Sequence, residues 1–163
     1  MKTCGDNRTP LNLVLVHPEI PQNTGGIGRL CVSTGSCLHL IQPFGFSLDD
    51  RYVKRAGMDY WAHVDLKIYQ NWEEFAERNP AAELYFFTTK SKAAYWDVKY
   101  PQAAYLVFGN ESSGLPKDFY QKYRERMFTI PMGGKFCRSL NLANSAAIVL
   151  YEGLRQQELN HGK

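Results

Sequence analysis

Short apolar runs alternate with helix-like segments along this chain of 163 residues. Six of the runs are rich in β-branched and aromatic residues, which is typical of strands. They are LNLVLV (11–16), CLHLI (37–41), HVDLKIY (63–69), ELYFFTT (83–89), AYLVFG (104–109) and RMFTI (126–130). Because strands that alternate with helices build parallel sheets, the pattern predicts an α/β domain with a mostly parallel sheet flanked by helices.

The first helix is predicted between the first two strands. Four residues there keep the i, i+3, i+4, i+7 spacing of one helix face: Ile27, Leu30, Cys31 and Thr34. We expect Asn23 or Thr24 to cap its N-terminus, because their side chains accept hydrogen bonds from first-turn N–H groups. Gly35 is expected to end the helix.

Three more helices are predicted further along the chain. The segments SLDDRYVKRAG (47–57) and NWEEFAERNP (71–80) each open on a capping residue and close on a residue that ends helices. A last helix is predicted from about Asn141 to Gln157, where apolar residues form one stripe. No internal repeat or linker divides the chain, so residues 1–163 are expected to form one domain.

Segments rich in Gly, Asn, Ser and Thr follow four of the predicted strands. They are HPEIPQNTGG, TTKSK, GNESSGLP and PMGGKFCRSLN, after the first, fourth, fifth and sixth strands. In open parallel sheets, ligands bind outside the carboxyl ends of the strands, because loops and helix N-termini converge there. We therefore expect these four segments to wall one pocket.

Composition and charge narrow the class of protein. The 44% hydrophobic content supports one sizeable core, and the net charge of +3 restricts any contact with nucleic acid to local clusters. No apolar run reaches the roughly 18 residues of a membrane span, and the N-terminus lacks a signal stretch, so we expect a cytoplasmic protein. The 4 cysteines form no C-x-x-C pair, so neither a disulfide framework nor a metal site is expected.

The pattern of glycines favours an uncharged or compact ligand held by the main chain. The chain has no G-x-x-x-x-G-K-[ST] motif, which disfavours a P-loop. TGGIG (24–28) resembles a dinucleotide fingerprint, and Asp49 or Asp50 follows about 20 residues later, but its spacing is wrong. A nicotinamide-dependent dehydrogenase is therefore the weaker alternative.

Three separated segments resemble the motifs of SPOUT-class RNA methyltransferases, in particular the small tRNA 2′-O-methyltransferases that modify the wobble ribose. They are PEIPQNTGGIGRL (18–30), LVFGNESSGLP (106–116) and IPMGGKFCRSLNLANSAAIVLYEGLRQ (130–156), and DDRYVKRAGMDYW (49–61) is also similar to a stretch of that subgroup. Three motifs in family order are far more specific than any one of them.

The resemblance implies a deep C-terminal trefoil knot in the sheet, which is an exception to the rule that chains do not thread loops. It also implies S-adenosylmethionine as methyl donor, the tRNA anticodon loop as partner, and a homodimer with the active site at the interface and no metal. The target would be the 2′-hydroxyl of a wobble cytidine or uridine. A non-catalytic knotted RNA-binding relative and a methyltransferase for another tRNA or rRNA site stay open.

The resemblance also assigns roles to individual residues. Residues expected near the cofactor are Phe87, Thr88, Gly109, Ile130, Ser139 and Leu140. Residues expected to serve catalysis are Arg29, Asn23, Glu111, Ser139 and Asn141. Residues expected to contact the RNA are Arg29, Lys54, Arg55 and Tyr151, with Tyr52, Tyr60 and Trp61 as possible stacking groups.

Each of these roles has a simpler structural alternative. Gly109 can merely end a strand, Ile130 and Tyr151 can be core residues, and Glu111 can be a solvated turn residue. Ser139 and Asn141 can cap the last helix. Lys54 and Arg55 can lie on a solvated helix face.

The role predicted for Arg29 is the most specific of these predictions. With a step of about 100° per residue, it lies about 160° from Ile27, the centre of the buried helix face. It therefore points away from its own core, and the simpler alternative is an ordinary surface arginine. The resemblance implies instead that a dimer places Arg29 over the partner's cofactor, where it meets the target ribose and its phosphate. The resemblance implies that Arg29 is the general base, although a guanidinium that stays protonated would instead stabilise the developing alkoxide or orient a phosphate.

Three residues depart from the usual pattern of the family. Gly26 stands where asparagine is common, and Asn110 and Ser113 stand where proline and arginine are frequent. The loop MGGKFCRS is also one residue longer than expected. These departures bear on the choice of substrate more than on cofactor binding.

Overall fold

The computed structural model describes residues 11–48 and 59–161 and contains six strands and four helices in that part of the chain. The strands are β1 (Asn12–Val16), β2 (Cys37–Ile41), β3 (Leu66–Tyr69), β4 (Leu84–Phe87), β5 (Tyr105–Phe108) and β6 (Met127–Phe128). The helices are α1 (Pro21–Thr34), α2 (Trp72–Arg78), α3 (Phe119–Lys122) and α4 (Leu142–His161). Short 3₁₀ turns lie at Asp59–His63, Tyr95–Asp97 and Arg124–Arg126.

All six strands form one parallel sheet in the order β3-β2-β1-β5-β4-β6. The predicted strands and the predicted parallel α/β architecture are therefore confirmed. Most strands are shorter than the predicted runs, above all β3, which begins only at Leu66, β4, which ends at Phe87, and β6, which ends at Phe128. The parallel arrangement gathers the carboxyl ends of the strands at one edge of the sheet.

Two apolar layers cover the two faces of the sheet, because successive side chains of a strand point to opposite sides. Leu13 and Leu15 of β1 pack in the layer that also contains buried residues of α1 and α4. Val14 and Val16 pack in the layer that contains α2 and α3. The full burial of β1 is therefore what its near-continuous apolar sequence predicts.

The expected N-cap of α1 is wrong. The helix begins at Pro21 with Ile20 in the N-cap position, so Asn23 and Thr24 lie inside the first turn and are buried. Proline suits the first helical position, because its fixed φ matches the helix and its missing N–H would have no helical partner there. Gly35 ends the helix as expected, in a left-handed conformation with φ 70°.

Two other predicted caps, Asn71 and Asn141, agree with the structure, and the cap of α4 is Asn141 and not the alternative Ser139. Asn71 Oδ1 accepts a hydrogen bond of 2.8 Å from Glu74 N at the start of α2. Asn141 Oδ1 accepts hydrogen bonds from Ala143 N (2.9 Å) and Asn144 N (3.2 Å) at the start of α4, which continues beyond the expected end at Gln157. Most of the helix predicted at 47–57 lies outside the described residues, and the trefoil knot stays a prediction.

A buried polar cluster lies within the sheet, centred on His39. The His39 ring is 2.9 Å from the Tyr69 hydroxyl through Nδ1 and 3.0 Å from Asn12 Oδ1 through Nε2. Loss of solvation and the nearby Lys67 charge lower the pKa of His39 to about 4. The imidazole is therefore neutral in the folded protein near neutral pH.

Among the described helices, none combines the length and the apolar character needed to cross a bilayer.

Candidate active site

A cavity of about 580 Å³ opens at the carboxyl edge of the sheet. All four of the Gly-, Asn-, Ser- and Thr-rich segments contribute to its walls, so the expectation of one shared pocket is confirmed. The predicted site residues that line it are Asn23, Phe87, Thr88, Gly109, Glu111, Ile130, Ser139, Leu140 and Asn141. Parallel strands bring them together because β5 lies between β1 and β4 in the sheet.

The tight loop after β5 forms one wall of the cavity. Asn110 and Gly114 exchange two backbone hydrogen bonds of 3.0 and 3.1 Å, and Gly114 has a left-handed φ of 74°. A Cβ atom on Gly109 would lie closer than 3.0 Å to backbone atoms of Gly114 and Leu115. Gly109 is therefore required because the loop folds back onto it, and not only because a strand ends there.

The Glu111 carboxylate joins this loop to the start of α1. Oε2 accepts a hydrogen bond from Glu19 N (2.8 Å), and Oε1 accepts from Ile20 N (3.0 Å) and from Asn23 Nδ2 (3.1 Å). A negative charge is favourable at a helix N-terminus, where the N–H groups point outward. The alternative of a freely solvated turn residue is wrong, and Glu111 organises two loops of the cavity.

A second connection runs from α1 to α4. Asn141 Nδ2 donates a hydrogen bond of 2.9 Å to Asn23 Oδ1, while Asn141 Oδ1 caps α4. Capping and participation in the cavity wall are therefore compatible roles for Asn141. Glu19 extends the same network, since its carboxylate accepts hydrogen bonds from the backbone and the hydroxyl of Ser112.

Aromatic and uncharged polar side chains both line the cavity. Phe87 and Phe108 stack with their ring centroids 5.0 Å apart. Thr88 continues the sheet through a hydrogen bond from its N–H to Phe128 O (2.9 Å), and its hydroxyl is 3.1 Å from the Tyr120 hydroxyl. This combination offers an apolar surface for a flat ring together with uncharged polar groups for its edges.

Two cations in the cavity wall, Lys90 and Arg138, were missed by sequence reasoning. Lys90 Nζ lies 4.6 Å from the centroid of the Tyr120 ring. Both cations belong to segments that the sequence marks as loops at strand ends, TTKSK and PMGGKFCRSLN. The presence of basic residues in loops predicted to wall the pocket was the sequence signal that could have identified Lys90 and Arg138.

Arg29 does not line the cavity of its own chain. It is exposed, as the helical spacing predicts, and its guanidinium carbon lies 5.8 Å from the Tyr60 ring centroid. The Tyr60 hydroxyl donates a hydrogen bond of 2.8 Å to Gly25 O, which fixes the ring against α1. Trp61 packs so closely against Gly28 that a Cβ on Gly28 would overlap the Trp61 ring. The stacking role of Trp61 stays a prediction.

Tyr151 is 56% exposed on α4, so the alternative of a core aromatic residue is wrong. It does not line the cavity either. Lys54, Arg55 and Tyr52 lie outside the described residues. Within residues 11–48 and 59–161, no group of three or more His, Cys, Asp and Glu side chains is arranged to hold a metal ion.

The family model and the related proteins found by comparison agree on one family of proteins. The model of the SpoU rRNA Methylase family matches residues 10–151. A Listeria monocytogenes protein designated a candidate tRNA (cytidine(34)-2′-O)-methyltransferase is 49% identical over 151 residues, which covers 91% of this chain and 89% of that protein. The tRNA (cytidine(34)-2′-O)-methyltransferase of Methylovorus glucosotrophus is 41% identical over 151 residues, covering 90% and 96% of the two chains.

Solved structures share the fold over most of the chain. A structure described as giving insights into the 2-OH methylation of C/U34 on tRNA is 40% identical, with a TM-score of 0.86, and the match covers 92% of this chain and 97% of that one. The SpoU methyltransferase AviRb of Streptomyces viridochromogenes, crystallised with AdoMet, has the same fold at 23% identity and a TM-score of 0.77, covering 94% and 60% of the two chains.

Proposed function

Since the chain belongs to the SpoU rRNA Methylase family, we propose that it is a tRNA methyltransferase. It transfers a methyl group from S-adenosylmethionine to the ribose 2′-hydroxyl of the wobble nucleotide, a cytidine or a uridine, in the anticodon loop. The cavity built from the three family-like segments carries this proposal, because residues far apart in sequence meet there around one ligand-sized space. The expected location of the reaction is the cytoplasm.

The cavity fits S-adenosylmethionine in size and in chemistry. Its volume of about 580 Å³ lies within the range of roughly 300–1,000 Å³ that small-molecule sites occupy. Phe87, Gly109, Ile130 and Leu140 would hold the flat and apolar parts of the cofactor, with Thr88 and Ser139 at polar edges. When bound, the cofactor supplies an activated methyl group on a sulfonium, which is already an excellent leaving group.

The protein therefore has to align the ribose oxygen and to stabilise the negative charge that develops on it. We assign that electrostatic role to Arg29, because an arginine guanidinium keeps its positive charge in proteins and its side chain is exposed. Glu111, Asn23 and Asn141 hold the loops around the reaction site through the hydrogen bonds that connect them. Ser139 lines the same cavity as Asn141.

Arg29 does not line the cavity of its own chain. It can therefore act at a reaction site only if a second copy of the chain, or the bound RNA, brings the two together. We propose a homodimer in which the outer face of α1 lies over the partner's cavity. The exposed Ile148 and Tyr151 on α4 support this arrangement, because such apolar groups are suited to a subunit interface. Tyr151 and, beyond the described residues, Lys54 and Arg55 are proposed RNA contacts of the dimer.

The decisive experiment is a transfer assay with unmodified tRNA and radiolabelled S-adenosylmethionine, followed by mapping of the ribose methylation. We expect one methyl group on the 2′-oxygen of the wobble nucleotide. A methyl group on another tRNA or rRNA position would change the proposed substrate. Cofactor and RNA binding without transfer would indicate a non-catalytic relative.

A further inference from the structure

The connection between β6 and α4 is highly exposed to solvent. Every residue from 131 to 140 is exposed. Among the described residues, no backbone group of this segment forms a hydrogen bond with another backbone group. Within the segment, Cys137 Sγ donates a hydrogen bond of 2.9 Å to Ser139 O. The fold therefore leaves this segment, which we call the cavity loop, available to a ligand.

Phe136 lies within the cavity loop with its side chain in solvent, at a relative exposure of 102%. The other exposed large hydrophobic residues of the loop, Met132 and Leu140, are 37% exposed and line the cavity. An aromatic side chain buries a large apolar surface when it finds a partner, so complete exposure is unfavourable for the free protein. Packing within the described fold gives no reason for an aromatic residue at this position.

We propose that Phe136 is a base-stacking residue that holds a nucleobase of the substrate RNA beside the methylated ribose. This inference rests on the function proposed above. Loop nucleotides of RNA can be splayed out and stacked on aromatic side chains. Each such contact is tolerant of base identity, since every base has a flat face.

The charge of the loop favours RNA over a protein as the occupant. Lys135 and Arg138 flank Phe136, and the segment PMGGKFCRSL contains no acidic residue. An aromatic group between two cations suits a single-stranded nucleic acid, because the cations attract the phosphates while the ring stacks on a base. A protein partner of mixed surface charge would gain less from this combination.

The position of the loop fits a nucleotide next to the reaction site. Arg138 lines the cavity and stands two residues from Phe136, a chain distance of at most about 7 Å. Gly133 and Gly134 have no atom within 4 Å of a built Cβ, and neither has a positive φ. Because the fold does not require glycine there, we interpret the pair as leaving the loop free to close over the RNA.

The test uses the full-length protein and a synthetic anticodon stem-loop with an unmethylated wobble ribose and 2-aminopurine beside the target nucleotide. Phe136→Ala should weaken RNA binding about 5- to 150-fold and reduce the quenching of 2-aminopurine that stacking causes. Phe136→Tyr should retain both, and Phe136→Leu should not. The affinity for S-adenosylmethionine should be unchanged in all three variants.

Trp96 provides the matched control. Its side chain is also exposed (53%), but it does not line the cavity, so Trp96→Ala should bind the stem-loop as the parent protein does. Equal RNA affinity of Phe136→Ala and the parent protein would overturn the inference while leaving the proposed function intact. Loss of RNA affinity together with a change from dimer to monomer would show that the partner subunit covers Phe136, which also overturns it. A parent protein that neither binds nor methylates the stem-loop would refute the proposed function itself.

Discussion

Asn23 and Asn141 are separated by 118 positions in sequence, yet Asn141 Nδ2 donates a hydrogen bond of 2.9 Å to Asn23 Oδ1. The same Asn23 side chain donates to Glu111 Oε1 through its own amide. The three residues come from three different segments around the cavity. Their hydrogen bonds therefore connect the start of α1, the loop after β5 and the start of α4.

Replacement of Asn141 separates its two roles. Asn141→Ser keeps a side-chain acceptor for the cap of α4 but is too short to reach Asn23. We expect nearly unchanged stability and an affinity for S-adenosylmethionine that falls about 2- to 10-fold, the effect of one net hydrogen bond. Urea unfolding and calorimetric titration measure the two quantities. Asn71→Ala, which removes the cap of the distant α2, should lower stability and leave the affinity intact.

Glu111→Gln should weaken the hydrogen bonds that connect the loop after β5 to the start of α1. Two of its three partners are backbone N–H groups, those of Glu19 and Ile20. The NH₂ group of a glutamine would face one of them, and two hydrogen-bond donors cannot pair. We expect a loss of about 1 kcal/mol in the free energy of unfolding, since the site is partly exposed, together with weaker cofactor binding. Denaturant unfolding gives the first value. Glu77→Gln on the exposed face of α2 is the control, and an equal loss there would contradict the assignment.

Gly109→Ala tests the close approach of the loop after β5. The added Cβ would overlap backbone atoms of Gly114 and Leu115, which cannot move away as a flexible side chain can. We expect a destabilisation of at least about 1–3 kcal/mol, measured by thermal or urea unfolding. Gly134→Ala places the same methyl group where no atom lies within 4 Å, so its stability should be close to that of the parent protein.

Arg29→Ala should abolish methyl transfer while leaving the affinity for S-adenosylmethionine nearly intact, because Arg29 lies outside the cavity of its own chain. Transfer is measured with labelled donor and affinity by calorimetry. Arg78→Ala, another exposed arginine, should retain both. Loss of cofactor affinity along with transfer would show that Arg29 acts on the cofactor site and not on the RNA.

The buried His39 gives a prediction for pH. Its pKa is about 4 in the folded protein, against an ordinary histidine pKa of 6.5, so between these limits the unfolded chain binds one more proton than the folded chain. The free energy of unfolding should therefore fall as the pH drops from about 6.5 to about 4, by up to about 3 kcal/mol in total. His39→Gln should remove this part of the pH dependence. Unfolding at several pH values compares the two slopes, and identical slopes would exclude His39 as the cause.

Local signals predicted much of this protein. The strands follow from apolar β-branched and aromatic runs, and Asn71 and Asn141 cap helices as their residue type predicts. The outward direction of Arg29 follows from helical spacing alone. The start of α1 was missed, because Pro21 is compatible with both a turn and a first helical position, and only the complete helix shows which applies.

The exposure of Phe136 and the pairing of Lys90 with the Tyr120 ring were not predictable in the same way. No periodic sequence pattern surrounds Phe136 or Lys90. Whether their side chains are buried, exposed or paired depends on how the rest of the chain packs around them. Glu111 shows the same limit, because its sequence context reads as a turn while its partners lie in a segment more than 85 residues away.

The amino-acid sequence by itself determined the six strands, the three helices α1, α2 and α4, the caps of α2 and α4, and the family, because periodicity, cap chemistry and motifs are properties of short segments. The tertiary structure alone decided which loops share a cavity and which side chains remain outside it. That decision depends on the strand order, with β5 between β1 and β4, and on the close approach that Gly109 permits. Both arise from packing between distant parts of the chain, which no local pattern contains.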